Sequence, residues 1–99
     1  MKATFENLIN DSQPVLVDFF ATWCGPCKSF LPVLSELSNE LKGKVKVIKI
    51  DIDKNLDLAT RYKITGVPTL MLFSEGAGIW KQPGLMTKTQ ILNEVNSRL

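Results

Sequence analysis

The sequence predicts an α/β domain in which a mixed four-stranded sheet lies between helices. Apolar runs of strand length alternate with segments of helical periodicity, and a glycine-rich turn joins the last two strands into a hairpin. A length of 99 residues, 44% of them hydrophobic, suits one domain over residues 1–99. The net charge of +2 gives no electrostatic case for nucleic acid as a partner. No apolar stretch approaches the roughly 20 residues that cross a bilayer, so we expect no membrane partner.

The first half of the chain is expected to contain two helices and two strands. Thr4 can cap a short helix, and the nearly continuous apolar run Val15–Phe20 predicts a strand covered on both faces. From Pro26 to about Leu41, apolar residues recur at helical spacing, and Pro32 should kink that helix. Val45–Ile52 has an interrupted alternation, which favours a second central strand.

The second half is expected to complete the sheet. Leu56–Tyr62 reads as a short helix, and Thr69–Phe73 as a third strand. A turn at 76–78 would lead into a fourth, antiparallel strand, Ile79–Gln82. Thr87 begins a capping-box pattern. The helix that follows has apolar residues on one side: Ile91, Leu92, Val95 and Leu99.

The only two cysteines, Cys24 and Cys27, lie two residues apart between a strand and a helix. The start of a helix favours a negative sulfur, because unpaired N–H groups point outward there. Pro26 suits a first helical turn, and Gly25 allows a tight turn that leaves the first sulfur uncovered. Two thiols at this spacing near a βαβ pattern indicate a redox pair.

Two other interpretations of the cysteine pair are weaker. A structural disulfide would close a loop of only about four residues and contribute roughly 2 kcal/mol in the chain-entropy model. A zinc site lacks ligands, because the chain has no histidine and no third cysteine. Two chains could share a metal, but no other feature suggests it, and we expect no metal site.

The chain resembles the thioredoxin family over nearly its full length, because several of its motifs match those of the family in order and spacing. Trp23–Lys28 matches the family's active-site motif residue for residue. Val17–Ala21 resembles the strand that carries the family's buried aspartate, and Lys49 falls where the family has a lysine near it. Val67–Thr69 resembles the cis-proline loop, and Gly84 falls at the glycine of the substrate groove. The resemblance implies a three-layer sandwich around the mixed sheet.

The chain departs from the family's pattern at three places. Phe20 stands where the family usually has tryptophan, and Pro83 before Gly84 is unusual. Only about four residues precede the first helix, which is too few for the extra N-terminal strand of many thioredoxins. A fifth strand is therefore expected to be absent or a stub.

The resemblance implies a role for each residue of the redox site. Cys24 would be the nucleophile, as the more exposed sulfur ahead of the helix, and Cys27 would resolve the mixed disulfide. Asp18, a carboxylate within an apolar strand, would have a raised pKa and exchange a proton with Cys27. The alternative for Asp18 is a frayed strand end that reaches solvent. Lys49 would tune Asp18, or it is an ordinary solvated lysine.

The remaining site residues would bind substrate. Trp23 could be a core residue, but its position directly before Cys24 favours a docking surface. The family match implies a cis peptide bond before Pro68, although cis is uncommon at about 5–6% of X–Pro bonds. The expected substrate-binding set is Trp23, Gly25, Pro26, Val67, Pro68 and Gly84.

The sequence thus predicts a thiol–disulfide oxidoreductase that reduces disulfides in client proteins. The resemblance implies recharging by an NADPH-dependent thioredoxin reductase, no cofactor of its own and a monomer. The N-terminus lacks an apolar signal-peptide core, which favours the cytoplasm. Two alternatives remain: the same fold acting as a disulfide oxidase or isomerase, and a partner-binding module whose thiols are incidental.

Overall fold

A four-stranded mixed sheet forms the centre of the computed structural model, which describes residues 4–99. Its strands are β1 (Val15–Phe20), β2 (Lys46–Asp51), β3 (Thr69–Ser74) and β4 (Ala77–Pro83). Their spatial order is β2-β1-β3-β4. Strand β1 pairs with β2 in parallel and with β3 antiparallel, and β3 pairs antiparallel with β4. The expected mixed sheet is confirmed.

Five helices cover the two faces of the sheet: α1 (Phe5–Ile9), α2 (Gly25–Ser29), α3 (Leu31–Glu40), α4 (Leu56–Arg61) and α5 (Lys88–Asn96). Helices α3 and α5 pack on one face around a cluster that includes Leu16, Leu34, Leu70 and Ile91. Helices α1 and α4 pack on the other face around a cluster that includes Phe5, Phe19, Leu58 and Phe73. Strand β1 contributes side chains to both clusters, as its continuous apolar run predicts. The layers are therefore helix, sheet and helix.

The expected helix from Pro26 to about Leu41 is two helices, which meet at Phe30. Phe30 still donates its N–H to the carbonyl oxygens of Pro26 and Cys27. Pro32 has no N–H to continue the ladder, so the chain restarts as α3 one residue beyond Phe30. Phe30 itself has helical φ and ψ of −81° and −15°, and its carbonyl oxygen accepts the N–H of Leu34, so the irregularity that Pro32 predicts is confined to one residue.

Strand β2 lies at an edge of the sheet, and its expected central position is wrong. Its residues are only half-buried or exposed, whereas those of β1 are nearly all buried. Both faces of β2 are partly covered. Val47 packs against the cluster on one face of the sheet, and Ile48 and Ile50 pack against the cluster on the other. Partial cover on both faces produces the same interrupted alternation as a central strand.

The hairpin turn is shorter than expected. Ser74 pairs with Ala77, so Glu75 and Gly76 alone form the turn, at φ 51° and 85°. Strand β4 therefore begins at Ala77, two residues earlier than expected. Ile79 has no partner in β3, because Leu72 pairs with Trp80 and Phe73 with Gly78, so a bulge interrupts the pairing there.

The two chain ends differ from the sequence expectations in separate ways. Helix α5 has the expected capping box between Thr87 and Gln90, but it ends at Asn96, so Leu99 is exposed beyond it. The stub of a fifth strand would fall on residues 1–3, outside the described part of the chain. No helix in residues 4–99 has the length and apolar character needed to cross a membrane.

Candidate active site

Cys24 and Cys27 form a disulfide at the start of α2. Cys24 is the N-cap residue of α2, and its Sγ accepts a hydrogen bond of 3.1 Å from the N–H of Cys27. Pro26 lies in the first turn, where a missing N–H costs nothing. The backbone thus places a donor on the first sulfur, which favours its thiolate once the disulfide opens.

Exposure does not distinguish the two cysteines. Cys24 is 4% and Cys27 is 3% exposed, a difference too small to identify the more exposed sulfur. Both residues pack in a small cluster with Ala21. What distinguishes Cys24 is its neighbours, namely the N–H of Cys27 and the loop before β3.

The loop before β3 lies against the disulfide. Val67 packs on the cysteine cluster, and its carbonyl oxygen is 3.7 Å from Cys24 Sγ. The Val67–Pro68 peptide bond is cis, as the family match predicts. Gly84 donates its N–H to the carbonyl oxygen of Pro68 at 2.8 Å, which ties the end of β4 to this loop. Gly84 has a φ of 85°, a conformation that favours glycine.

Asp18 is buried in β1 and lies beside Lys49. The carboxylate is 1% exposed, and neither of its oxygens has a hydrogen-bond partner among the described residues. Burial raises the pKa of Asp18 to about 6, and the positive charge of Lys49 opposes that rise. Lys49 is the β2 residue directly opposite Asp18, and its ammonium lies 5.7 Å from the centre of the Phe20 ring. The alternative of a frayed strand end is thereby wrong.

Trp23 is on the surface beside the disulfide. Its side chain is 69% exposed, which contradicts a core role, and its indole N–H donates to Asp53 at 2.8 Å. Gly25 and Pro26 are also exposed. Sequence reasoning missed Asp53, because nothing in the pattern links a residue after β2 to one 30 positions earlier. The position of Asp53 could have indicated the contact. Asp53 follows the end of β2 and Trp23 follows the end of β1, and parallel strands end at the same edge of a sheet.

A pocket of about 200 Å³ lies behind the disulfide. The pocket is lined by Cys27, Phe20, Leu31 and Lys49 among others, so it reaches the second cysteine of the pair but neither Cys24 nor Val67. Leu31 also belongs to the site, and no motif in the sequence distinguishes it from the other apolar residues of the helix. An opening here gives solvent a route towards the Cys27 side of the disulfide.

A cysteine pair at a helix N-terminus, beside the loop of Val67 and following the strand that carries a buried carboxylate, defines a site for thiol–disulfide exchange. A sequence model of the family described as Thioredoxin matches residues 1–97. The chain belongs to the thioredoxin family, and it is a thiol–disulfide oxidoreductase.

The chain is similar to curated thioredoxins from bacteria and from plants. It is 44% identical to a thioredoxin of Rickettsia felis, an alignment that covers 95% of this chain and 90% of that protein. It is 41% identical to a thioredoxin of Haemophilus influenzae, covering 98% and 92%. It is also 41% identical to the chloroplastic thioredoxin Y1 of Arabidopsis thaliana, covering 99% of this chain and 59% of that protein. The chain thus spans less than two thirds of the length of the plant relative. It spans about nine tenths of the length of the two bacterial relatives.

Proposed function

We propose that this domain reduces disulfides in client proteins, with Cys24 as the nucleophile and Cys27 as the resolving thiol. The observation that carries the proposal is the environment of Cys24 Sγ. That sulfur receives the N–H of Cys27 and lies 3.7 Å from the carbonyl oxygen of Val67. A thiolate there is stabilised by a backbone donor, while the adjacent loop offers a carbonyl to an approaching peptide.

The reaction proceeds through a mixed disulfide. The Cys24 thiolate attacks one sulfur of the client disulfide, that S–S bond breaks, and the other client sulfur leaves as a thiolate. Cys27 then loses its proton and attacks Cys24 Sγ, which releases the second client thiolate. The client gains two electrons and takes up two protons, and the domain ends with the Cys24–Cys27 disulfide.

Asp18 is the proton acceptor for Cys27 in this scheme. A carboxylate with a pKa of about 6 is largely ionised at neutral pH, yet it binds a proton more readily than an ordinary aspartate. Lys49 tunes that balance because its charge stabilises the ionised carboxylate. The pocket is lined by Cys27 and by Lys49, the residue opposite Asp18 in the sheet, and this shared neighbour supports a proton route on that side of the disulfide.

Client peptides dock across the loop before β3. An extended segment would pair with the backbone of Val67, while Trp23, Gly25 and Pro26 present exposed surface on the other side of the disulfide. Pro68 has no N–H to leave unpaired beside the sulfurs. Gly84 holds the loop through its hydrogen bond to Pro68.

The oxidised domain is recharged by a thioredoxin reductase that takes electrons from NADPH. We propose that it works as a single-domain monomer over residues 1–99, without a cofactor of its own, in the cytoplasm. The likeness to bacterial thioredoxins of similar length supports this assignment. The chloroplastic relative is the reason to test the location directly.

A coupled assay tests the proposal. The domain is mixed with NADPH, a bacterial thioredoxin reductase and insulin, and NADPH oxidation and insulin precipitation are followed. We expect both signals to depend on the domain and to disappear in the Cys24→Ser, Cys27→Ser double variant. A double variant that retains its function in cells would favour a binding module, and an intact protein that oxidises dithiols but does not reduce insulin would favour an oxidase.

A further inference from the structure

Lys81 of β4 donates hydrogen bonds to the end of helix α4. Its ammonium nitrogen lies 2.9 Å from the carbonyl oxygen of Tyr62 and 3.1 Å from that of Lys63. Lys81 is paired with Met71, whose side chain is buried in the cluster beneath α1 and α4. Side chains directly opposite each other lie on the same face of a sheet, so Lys81 extends over the face that α4 covers. A lysine of the last strand thus reaches the loop that follows the helix.

The end of α4 has carbonyl groups that need such a donor. The N–H of Lys63 bonds to Thr60 and the N–H of Ile64 bonds to Ala59. These two bonds close the last turn of the helix, and Lys63 has a left-handed φ of 55°. The carbonyl groups of Tyr62 and Lys63 accept no backbone N–H within residues 4–99. A cation is a favourable donor to them, because the C-terminal end of a helix is the negative end of its dipole.

Strand β4 also holds the other end of the same loop. The loop before β3 comprises residues 62–68, and Gly84 donates its N–H to the carbonyl oxygen of Pro68 at 2.8 Å. Within the loop, the hydroxyl of Thr69 donates to the carbonyl oxygen of Gly66 at 2.7 Å. One strand therefore fixes the first and the last residues of the loop, and Val67 lies between them.

The backbone of the loop is less firmly fixed just before Val67. Ile64 is buried, whereas Thr65 and Gly66 are exposed, so side-chain packing does not hold that part of the loop. The carbonyl oxygen of Val67 nevertheless lies 3.7 Å from Cys24 Sγ. Hydrogen bonds at the two ends of the loop keep this backbone where an extended client would meet it.

We propose that Lys81 is a positioning residue for client reduction. Its ammonium holds the start of the loop before β3, so that the backbone of Val67 stays aligned with Cys24. The proposal rests on the proposed function, because that function assigns Val67 to client docking. Lys81 acts through the loop and takes no part in the exchange of electrons or protons. Without the ammonium the loop opens more often, while the chemistry of the two cysteines is unchanged.

Amide hydrogen exchange tests whether Lys81 holds the loop, and it needs no client. Lys81→Met removes the ammonium and keeps an unbranched side chain. Lys44→Met is the matched control, because Lys44 is exposed and forms no ion pair within residues 4–99. In Lys81→Met we expect exchange at Ile64 and Gly84, near the two ends of the loop, to be at least about threefold faster, as the loss of a modest hydrogen bond would produce. Leu41, at the end of α3, should exchange at the wild-type rate.

The rate of disulfide reduction tests whether the position of the loop matters for clients. The domain is first reduced and freed of reductant, and it is then mixed with insulin or with hydroxyethyl disulfide, which is too small to pair with the loop. Lys81→Met should reduce insulin at least about threefold more slowly and hydroxyethyl disulfide at the wild-type rate. Lys81→Arg keeps a cation at the same position and should restore insulin reduction. Lys44→Met should match the wild-type protein with both substrates.

Four results would overturn the proposal. The first is equal exchange at Ile64 and Gly84 in Lys81→Met and Lys44→Met. The second is faster exchange that includes Leu41 to the same degree, which would make Lys81 a stabilising residue only. The third is equal slowing of both substrates or of neither, and the fourth is no restoration by Lys81→Arg. A wild-type protein that reduces neither substrate would instead contradict the proposed function, and the exchange rates would still decide whether Lys81 holds the loop.

Discussion

At the scale of single residues, Asp18 is the group whose environment most affects both stability and chemistry. Its carboxylate is buried without a hydrogen bond, and its pKa is about 6 against an ordinary value of 3.8. Because the pKa is raised in the folded state, the ionised form destabilises the fold. That penalty is absent below about pH 4, grows as the pH rises through 6, and is complete above it.

Asp18→Asn should therefore stabilise the oxidised protein in a pH-dependent way. A shift of about two pKa units corresponds to about 3 kcal/mol, so we expect a gain of that order at pH 8 and little change at pH 4. Denaturant unfolding at both pH values measures it. Asp57→Asn, at an exposed carboxylate on α4, is the control and should change the free energy of unfolding by less than about 1 kcal/mol at either pH. Equal gains at both pH values would mean that the pKa of Asp18 is the same in the folded and unfolded protein, which would contradict the raised value.

The two sulfurs are expected to behave differently when each is removed. Cys27→Ser should accumulate a mixed disulfide between Cys24 and a client, because no thiol remains to resolve it. Cys24→Ser should accumulate none by this route. Non-reducing electrophoresis after mixing with an oxidised client shows the adduct. Faster alkylation of Cys27 than of Cys24 in the reduced protein would reverse the assignment.

How far the sequence reveals this site depends on how local each interaction is. The cysteine pair, Pro26 and the burial of Asp18 follow from neighbouring residues, because an apolar run leaves a carboxylate no route to water. The contact between Trp23 and Asp53 joins residues 30 positions apart and had no local signature. The nearly equal exposure of the two cysteines also depends on packing by Ala21 and Val67, which no local pattern shows.

At the scale of elements, the turn of the β3–β4 hairpin holds a glutamate in a left-handed backbone conformation, and a substitution could relieve the cost of that conformation. Glu75 has a φ of 51° in a two-residue turn with Gly76, the arrangement for which Asn-Gly is favoured. Glu75→Asn should raise the free energy of unfolding by about 1 kcal/mol, because left-handed backbone costs most side chains roughly that much. Glu75→Gln keeps the cost and should change little. Thermal or denaturant unfolding compares the two, and equal stabilities would contradict the strain.

Gly84 at the end of β4 offers a second test of an element. Gly84→Ala should destabilise the fold by about 1 kcal/mol, because φ is 85° there and a side chain is disfavoured. It should also slow insulin reduction, since Gly84 holds the loop that carries Val67. Gly66→Ala adds a methyl group to open space at an ordinary φ and is the matched control for stability. If the Gly84→Ala variant were as stable and as active as the Gly66→Ala control, Gly84 would not hold the loop that carries Val67.

Elements with strong local signals were predicted with nearly correct bounds, and those decided by tertiary context were not. The capping box of α5 and the apolar run of β1 are local. The edge position of β2 depends on which strands find partners, and partial cover on two faces resembles full burial in the sequence. The interruption at Phe30 lies where Pro32 predicted an irregularity, because the loss of one backbone N–H is a local effect.

At the scale of the whole molecule, the order of strands brings the site together. Strand β1 lies between β2 and β3, so it joins the strand that carries Lys49 to the strand that begins beside Pro68. The cysteines follow β1 directly. The topology was predictable as a mixed sheet from the alternation of elements and the final hairpin, whereas the strand order was not, because it depends on long-range pairing.

The reduction potential of the Cys24–Cys27 couple tests the central claim, that the domain donates electrons to client disulfides. It is measured by equilibration with a thiol couple of known potential, with the redox state followed by alkylation. Gly25 and Pro26 place no charge between the cysteines that would strongly stabilise a reduced form. We expect a value near that established for other thioredoxins, about −270 mV. A potential above about −180 mV, in the range of disulfide isomerases and oxidases, would contradict the account.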